Sequence, residues 1–277
     1  MLAALLTGQT KHGKTRSRIP KFWRDLWKRE WDFLASGRKE FRHERSFVAV
    51  SDIAAQYYCE YKTENEYALG EIPTEAKETG TTLHDELMPS EKISAKEFVR
   101  LVGRKEPSYA VLGVWGEVGG LKIIGTPDHI IWESGRPLWL VELKTTKGDP
   151  TPLWEDQENQ ARIYGLLLES MGFDCSKLSL AVVRLKTGEL TDDQKRQWLT
   201  TVSAALQDGK VSELESRYRG TMKVHLLARD REAAETAVHL KAGYWLGKRE
   251  PIPTTSMGKC RACEYNDVCP RSLYKPS

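Results

Sequence analysis

No apolar run in this chain of 277 residues approaches the ~20 residues of a membrane span. Leu2–Leu6 is too short for the core of a secretory signal, and no basic segment precedes it. There is no internal repeat of the kind that builds solenoids or propellers, and no low-complexity linker. Net charge is almost lacking as well. At +3, affinity for nucleic acid must come from a local basic surface rather than from the total. Cysteine is scarce, with five residues, which excludes a disulfide-dense scaffold. The expectation is a cytoplasmic protein without a membrane partner. Import into an organelle is the weaker alternative: Lys11–Arg24 is basic and free of acids, but Gly13 and Pro20 interrupt the amphipathic helix of a transit peptide.

What is present is a globular balance, 40% hydrophobic and 29% charged, enough to bury a core without a staple. Pro20 and Gly37 bracket a helix over 20–36 with Trp23, Leu26, Trp27, Trp31 and Leu34 on one stripe, which reads as a docking face rather than a base-stacking one. A short strand over 47–50 leads to Ser51 as an N-cap and a helix carrying Cys59. Further helices are expected from Pro73 to Met88, with Gly80 and His84 on one face, and over 93–102. The centre, 109–144, is rich in β-branched and aromatic residues and reads as an antiparallel meander. Then follow a helix over 152–171, a strand over 178–185, a helix over 191–206, a strand over 222–227, a helix over 231–246 and a cysteine-bearing tail. An α/β core with helical additions at both ends is the simplest architecture.

The chemistry concentrates on one hairpin. Strand periodicity puts Glu142 and Lys144 on one face and Leu143 on the other. If the hairpin centres on Gly135, residues whose numbers sum to 270 face each other, and Asp128 lies across from Glu142 at about 5 Å. Like charges so placed repel unless a cation sits between them, and Mg²⁺ or Mn²⁺ suits hard oxygen ligands. Such a cation supplies a nucleophile and charge stabilisation for phosphodiester hydrolysis, with Lys144 orienting water or offsetting charge. Gln160 and Tyr164 fall one turn apart on the next helix, one to hold this network and the other to stack on substrate, and His84 could add a nitrogen ligand. The competing interpretation of each carboxylate is a solvated surface charge, and of a lone helical histidine a structural one.

Gly125-Thr-Pro-Asp128, Glu142-Leu-Lys144 and Gln160-x-x-x-Tyr164, with His84 upstream, resemble the RecB-type branch of the PD-(D/E)xK nucleases. The resemblance implies a restriction-endonuclease-like mixed sheet flanked by helices. It further implies Mn²⁺ or Mg²⁺ bound by His84, Asp128, Glu142 and the Leu143 carbonyl, with Lys144 catalytic and Gln160 and Tyr164 completing the motif. Cys260-x2-Cys263-x5-Cys269, with distant Cys59, resembles the pattern of CRISPR-associated Cas-four nucleases and AddB-type enzymes, where it holds a 4Fe-4S cluster. Four thiolates closing a loop of roughly 200 residues would join the N- and C-terminal segments as a long disulfide would. Zinc also suits four thiolates. Cys175 has no neighbouring cysteine and is expected buried and inert.

On this reading 1–45 is a basic arm with a Trp-rich helix outside the resemblance, and 46–108 is a helical segment with Cys59 and His84. Residues 109–250 are the nuclease core, and 251–277 the cluster segment. The resemblance implies a stand-alone, single-strand-preferring 5′-to-3′ DNA exonuclease. Its substrate is single-stranded DNA or DNA with single-stranded ends, and its partners are CRISPR integration proteins or a helicase. Its role is in CRISPR spacer acquisition or in recombination and repair. The alternative is a non-catalytic DNA-binding iron-sulfur scaffold. Gly8–Thr15 also fits the Walker A pattern, but Leu2–Leu6 is barely a strand and Pro20 breaks the helix a P-loop needs.

Overall fold

The computed structural model describes residues 19–88, 93–188 and 190–275. The Walker-like run therefore lies outside the described residues. Among those residues, no helix is long and apolar enough to cross a membrane.

Helix α1 (Lys21–Ala35) opens at Pro20, whose ring pre-sets the φ of a first turn. It docks as expected, with Trp23, Leu26 and Trp27 buried against Phe98 and Phe173 in the main core. Trp31 departs from the expected stripe at 62% exposure, and Glu30 takes the buried place beside it. The helix thus buries a narrower arc than five apolar positions suggested. Cys59 is not inside a helix. It holds an extended conformation (φ −171°, ψ 124°) at the break between α2 (Val50–Tyr58) and α3 (Glu60–Leu69). Helix α2 begins one residue before the expected cap Ser51; Ala49 is the N-cap, and the Asp52 carboxylate reaches back to accept from its N–H. Helices α4 (Glu75–Leu87) and α5 (Ala95–Val102) follow, opened by Thr74 and Ser94 as side-chain caps.

The central region is not one meander. Strands β1 (Val48–Ala49), β3 (Val114–Val118) and β4 (Leu121–Gly125) form a small sheet in the order β1-β4-β3, with β1 parallel to β4. Strands β2 (Ser108–Tyr109), β5 (His129–Glu133), β6 (Arg136–Thr146), β7 (Ser179–Lys186) and β8 (Met222–Leu227) form the larger one in the order β2-β5-β6-β7-β8. The chain leaves one sheet for the other at Thr126–Pro127, where proline has no N–H to continue a ladder.

Strands β6 and β7 are parallel, joined by the crossover helix α6 (Glu155–Ser170). This crossover decides which side chains reach the site. Leu140, Val182 and Leu180 share a core with Ala161, Tyr164 and Leu167 of α6. Val141, Leu143 and Val183 face a second core built on Trp198. Even-numbered positions of β6 therefore look towards α6, and Glu142 and Lys144 are among them. The second core is closed by α7 (Asp192–Gln207) and α8 (Val211–Tyr218), the latter a helix the sequence pattern did not reveal. Helix α9 (Arg231–Trp245) packs on α6 and α2, and the tail contains a short helix, α10 (Met257–Arg261).

Candidate functional site

The β5–β6 hairpin turns through Ser134 and Gly135, both at positive φ (50° and 79°), the pattern of a tight two-residue loop. Near the loop Glu133 pairs with Arg136, but a bulge at Ile131/Trp132 shifts the register by one, so His129 faces Val141. The next pair along is Asp128 and Glu142, as the sum rule predicted, although Asp128 has left the ladder and stands in the bend after Pro127. That bend is pinned from outside. A Cβ on Gly125 would meet Tyr164 Cε1 at 2.7 Å and Val50 Cγ2 at 2.9 Å, so only glycine lets α6 and α2 approach so closely.

Asp128 Oδ2 accepts from the Leu143 N–H at 2.7 Å, and His84 Nε2 lies 2.9 Å from Asp128 Oδ1. Leu143 thus meets Asp128 through its N–H. Glu142, 1% exposed, accepts at Oε1 from Lys144 Nζ (3.1 Å) and Gln160 Nε2 (2.7 Å), while Gln160 Oε1 accepts from Lys144 at 2.8 Å. His84, Asp128, Glu142, Lys144 and Gln160 therefore form one connected cluster supplied by α4, the β4–β5 bend, β6 and α6. Tyr164 is also present, but at 4% exposure its ring is packed into the floor and offers no face for the stacking expected of it. It meets Gln160 only at 3.5 Å.

The electrostatics of this cluster are unbalanced. Burial, reinforced by the Asp128 charge, pushes the Glu142 carboxyl above its ordinary range, against the pull of Lys144. Burial alone would lower the Lys144 ammonium, but Glu142 and Asp128 outweigh it and raise it, so the side chain stays charged. The hydrogen bond to Asp128 raises His84 against the effect of burial. The second oxygen of Glu142, Oε2, is buried with no hydrogen-bond partner. An orphaned carboxylate oxygen inside a protein costs about 1–3 kcal/mol or more. A cation bound beside it, with Asp128 and His84 at hand, would remove that cost, so the donor set fits Mg²⁺ or Mn²⁺. Among the described residues no group of three or more His, Cys, Asp or Glu side chains is arranged to hold a metal ion.

A family model of the PD-(D/E)XK nuclease superfamily matches residues 9–270. The chain belongs to that superfamily. Members use divalent metals such as Mg²⁺ or Mn²⁺, in keeping with the Glu142 site. The match begins at residue 9 and so takes in α1. Among solved structures, that of the protein SSO0001 is 15% identical, with a TM-score of 0.44 over 90% of this chain and 95% of that one. This likeness is too distant to bear on the site.

Away from the Glu142 cluster, Cys59, Cys260, Cys263 and Cys269 line one cavity with Tyr58, Lys62, Lys259 and Arg271. Backbone bonds wind the tail around it: Cys263 N–H donates to Cys260 O, Cys269 N–H to Tyr265 O, and Thr254 N–H to Cys59 Sγ at 3.4 Å. The Tyr265 hydroxyl, from a fully buried ring, ties the tail to Gly70 O at 2.7 Å. Lys62 and Lys259 both stand over the Tyr58 ring. Four thiols with nearby cations and an N–H donor have the chemistry of a four-thiolate site, although among the described residues no three of them are arranged to hold a metal ion. Cys175 is buried in the main core, as expected, and burial pushes its thiol up to about 12.

Proposed function

We propose that this nuclease is a metal-dependent DNA exonuclease that prefers single strands and runs 5′ to 3′. Its divalent cation would be held by His84, Asp128, Glu142 and the Leu143 carbonyl, and a structural 4Fe-4S cluster by Cys59, Cys260, Cys263 and Cys269. The observation that carries the catalytic reading is the buried, unpartnered Glu142 Oε2 beside Asp128. A cation bound there supplies acidity to water and positive charge to the phosphodiester.

The chain's own groups do the rest. Lys144, kept charged by the two carboxylates, donates towards a phosphate oxygen or the attacking water, where charge builds in the transition state. Gln160 bridges Lys144 and Glu142 and so fixes both rotamers before substrate arrives. Before a cation is bound, His84 and the Leu143 N–H hold the two Asp128 oxygens and orient that carboxylate. Tyr164 and Gly125 keep the Asp128 bend against α6.

The polarity, the single-strand preference and the cluster rest on the resemblance of the motifs. So do a cytoplasmic location, partners among CRISPR integration proteins or a helicase, and roles in CRISPR spacer acquisition or in recombination and repair. The test is digestion of single-stranded DNA, duplex DNA and RNA, each labelled at either end, by anaerobically purified protein with Mn²⁺. Ordered shortening of single-stranded DNA from its 5′ end is the expected result. Internal cuts, or a preference for RNA, would overturn the exonuclease assignment.

A further inference from the structure

Arg184 occupies the middle of β7, inside the otherwise apolar run Leu180–Leu185, and is 3% exposed. A buried charge is costly unless paired and hydrogen-bonded. Arg184 is neither: its Nε and Nη1 are both buried and without a hydrogen-bond partner. Asp149 and Asp156 are near enough to feel the charge, yet neither accepts a hydrogen bond from those two nitrogens.

Its position is set by the ladder. Lys144 and Arg184 are register partners on parallel strands, so their side chains share the face that carries Glu142, with backbones ~4.8 Å apart. On the far side Arg184 pairs with Lys223 of β8, which is occupied by Glu215 at 3.0 Å. The row Lys144, Arg184, Lys223 thus runs away from the carboxylates across three strands, and its middle member is uncommitted. Over the guanidinium, 5.9 Å from its carbon, lies the ring of Trp154, the residue before α6, which is 52% exposed. The first turn of α6 carries Glu155, Asp156 and Glu158, so the helix end is not what would draw an anion there; the guanidinium is.

We propose that Arg184 and Trp154 form a subsite for the nucleotide adjoining the one cleaved, the guanidinium taking its backbone phosphate and the indole stacking its base. The guanidinium fork matches the oxygens of a phosphate, and an exposed aromatic ring accepts any base by stacking. The subsite rests on the nuclease reading above, since it places the strand by reference to Lys144 and Glu142. It also explains an expensive residue: an uncommitted buried charge is tolerable where a ligand supplies the missing partner.

The test is binding of a short labelled single-stranded oligodeoxynucleotide across a salt series, in the Glu142→Ala background that removes turnover, with melting temperatures alongside. Arg184→Met is expected to weaken binding by about tenfold and to reduce the salt slope by about one phosphate. Its melting temperature is expected to hold or rise, because an unpaired buried charge is gone. Arg184→Lys should recover part of the affinity. Trp154→Ala should weaken binding by about tenfold at an unchanged salt slope, since stacking releases no counterion. Unchanged affinity and salt slope in Arg184→Met would overturn the subsite, as would a lowered melting temperature with binding intact. If that variant fails to fold, wild-type affinity in both Arg184→Lys and Trp154→Ala overturns it. A parent chain that cleaves normally while these variants bind normally removes the subsite alone. A parent that neither binds nor cleaves removes the nuclease reading, and the subsite with it.

Discussion

Gly80 and Thr145 meet where α4 crosses β6, and a Cβ on Gly80 would come within 2.9 Å of Thr145 Oγ1. One turn further along the same helix, His84 reaches Asp128. The missing side chain therefore sets the distance between the histidine and the carboxylates.

Replacing Gly80 separates stability from catalysis. Gly80→Ala gains roughly 1 kcal/mol of helix propensity, yet crowds Thr145. Gly80→Val forces α4 outwards, and a displacement of about 1 Å can cost about a hundredfold in rate. The expected pattern is cleavage reduced in Gly80→Ala and nearly lost in Gly80→Val, with melting temperatures within a few degrees of the parent. Normal cleavage by Gly80→Val would show that α4 has no part in the site.

Gln160 spans Lys144 and Glu142 and is reached by no other member of the cluster except Tyr164. Gln160→Leu keeps the bulk and removes the hydrogen bonds to Lys144, Glu142 and Tyr164. The expected result is a fall in kcat of about a hundredfold, the size of a lost positioning contact, with an unchanged far-ultraviolet spectrum. A kcat within twofold of the parent, about 0.4 kcal/mol, would assign the network to folding alone.

Glu60, 1% exposed, holds the C-terminal region to α3: Arg249 donates to both of its oxygens and the Ile252 N–H donates at 2.8 Å. Burial alone would raise this carboxyl, but the bonds from Arg249 and Ile252 outweigh it and hold it below its ordinary range. A carboxyl lowered by folding contributes stability that is complete above the unfolded value, ~4.3, and lost as pH falls through the folded one. Arg249→Ala, which removes two charged hydrogen bonds and leaves only the Ile252 N–H and Lys241 on the carboxylate, should cost about 2 kcal/mol at neutral pH. The deficit should shrink as the medium is acidified through the carboxylate range. A deficit that is constant with pH would mean that Glu60 is not the linked group.

The cysteine cavity makes a separate prediction. Anaerobically purified protein should be brown and contain iron, and Cys263→Ser should lower the melting temperature more than it alters chemistry per folded molecule. Cys175→Ala should leave the iron content unchanged, since Cys175 packs in the main core and not in that cavity. Zinc without iron would replace the cluster with a zinc site, and an unchanged melting temperature with lost activity would contradict a structural role for the cysteines.

Local signals carried much of the layout. The span 222–227 and the long helices α6, α7 and α9 were readable from their periodicity, and α7 and α9 also open on side-chain caps, Thr191 and Asp230. The pairing of Asp128 with Glu142 was readable from the Ser134–Gly135 turn, but by a compensation: the loop alone gives a sum of 269, and the bulge at Ile131/Trp132 restores 270. What stayed hidden depends on partners distant in sequence. The split into two sheets follows from β1 pairing with β4, a contact between residues 48 and 123. The need for glycine at 80 and 125 follows from how closely helices approach them. Arg184 did leave a mark, a charge inside an apolar strand, but only the register with Lys144 gives it meaning.

The most direct measurement is cleavage of end-labelled single-stranded DNA by the anaerobically purified protein with Mn²⁺, with EDTA, and by Glu142→Ala with Mn²⁺. Cleavage that requires the metal and vanishes in the variant is the predicted result, because the proposal places the cation at the unpartnered oxygen of Glu142. Cleavage that survives in a pure preparation of the variant, or no cleavage by the folded parent with metal present, would contradict it.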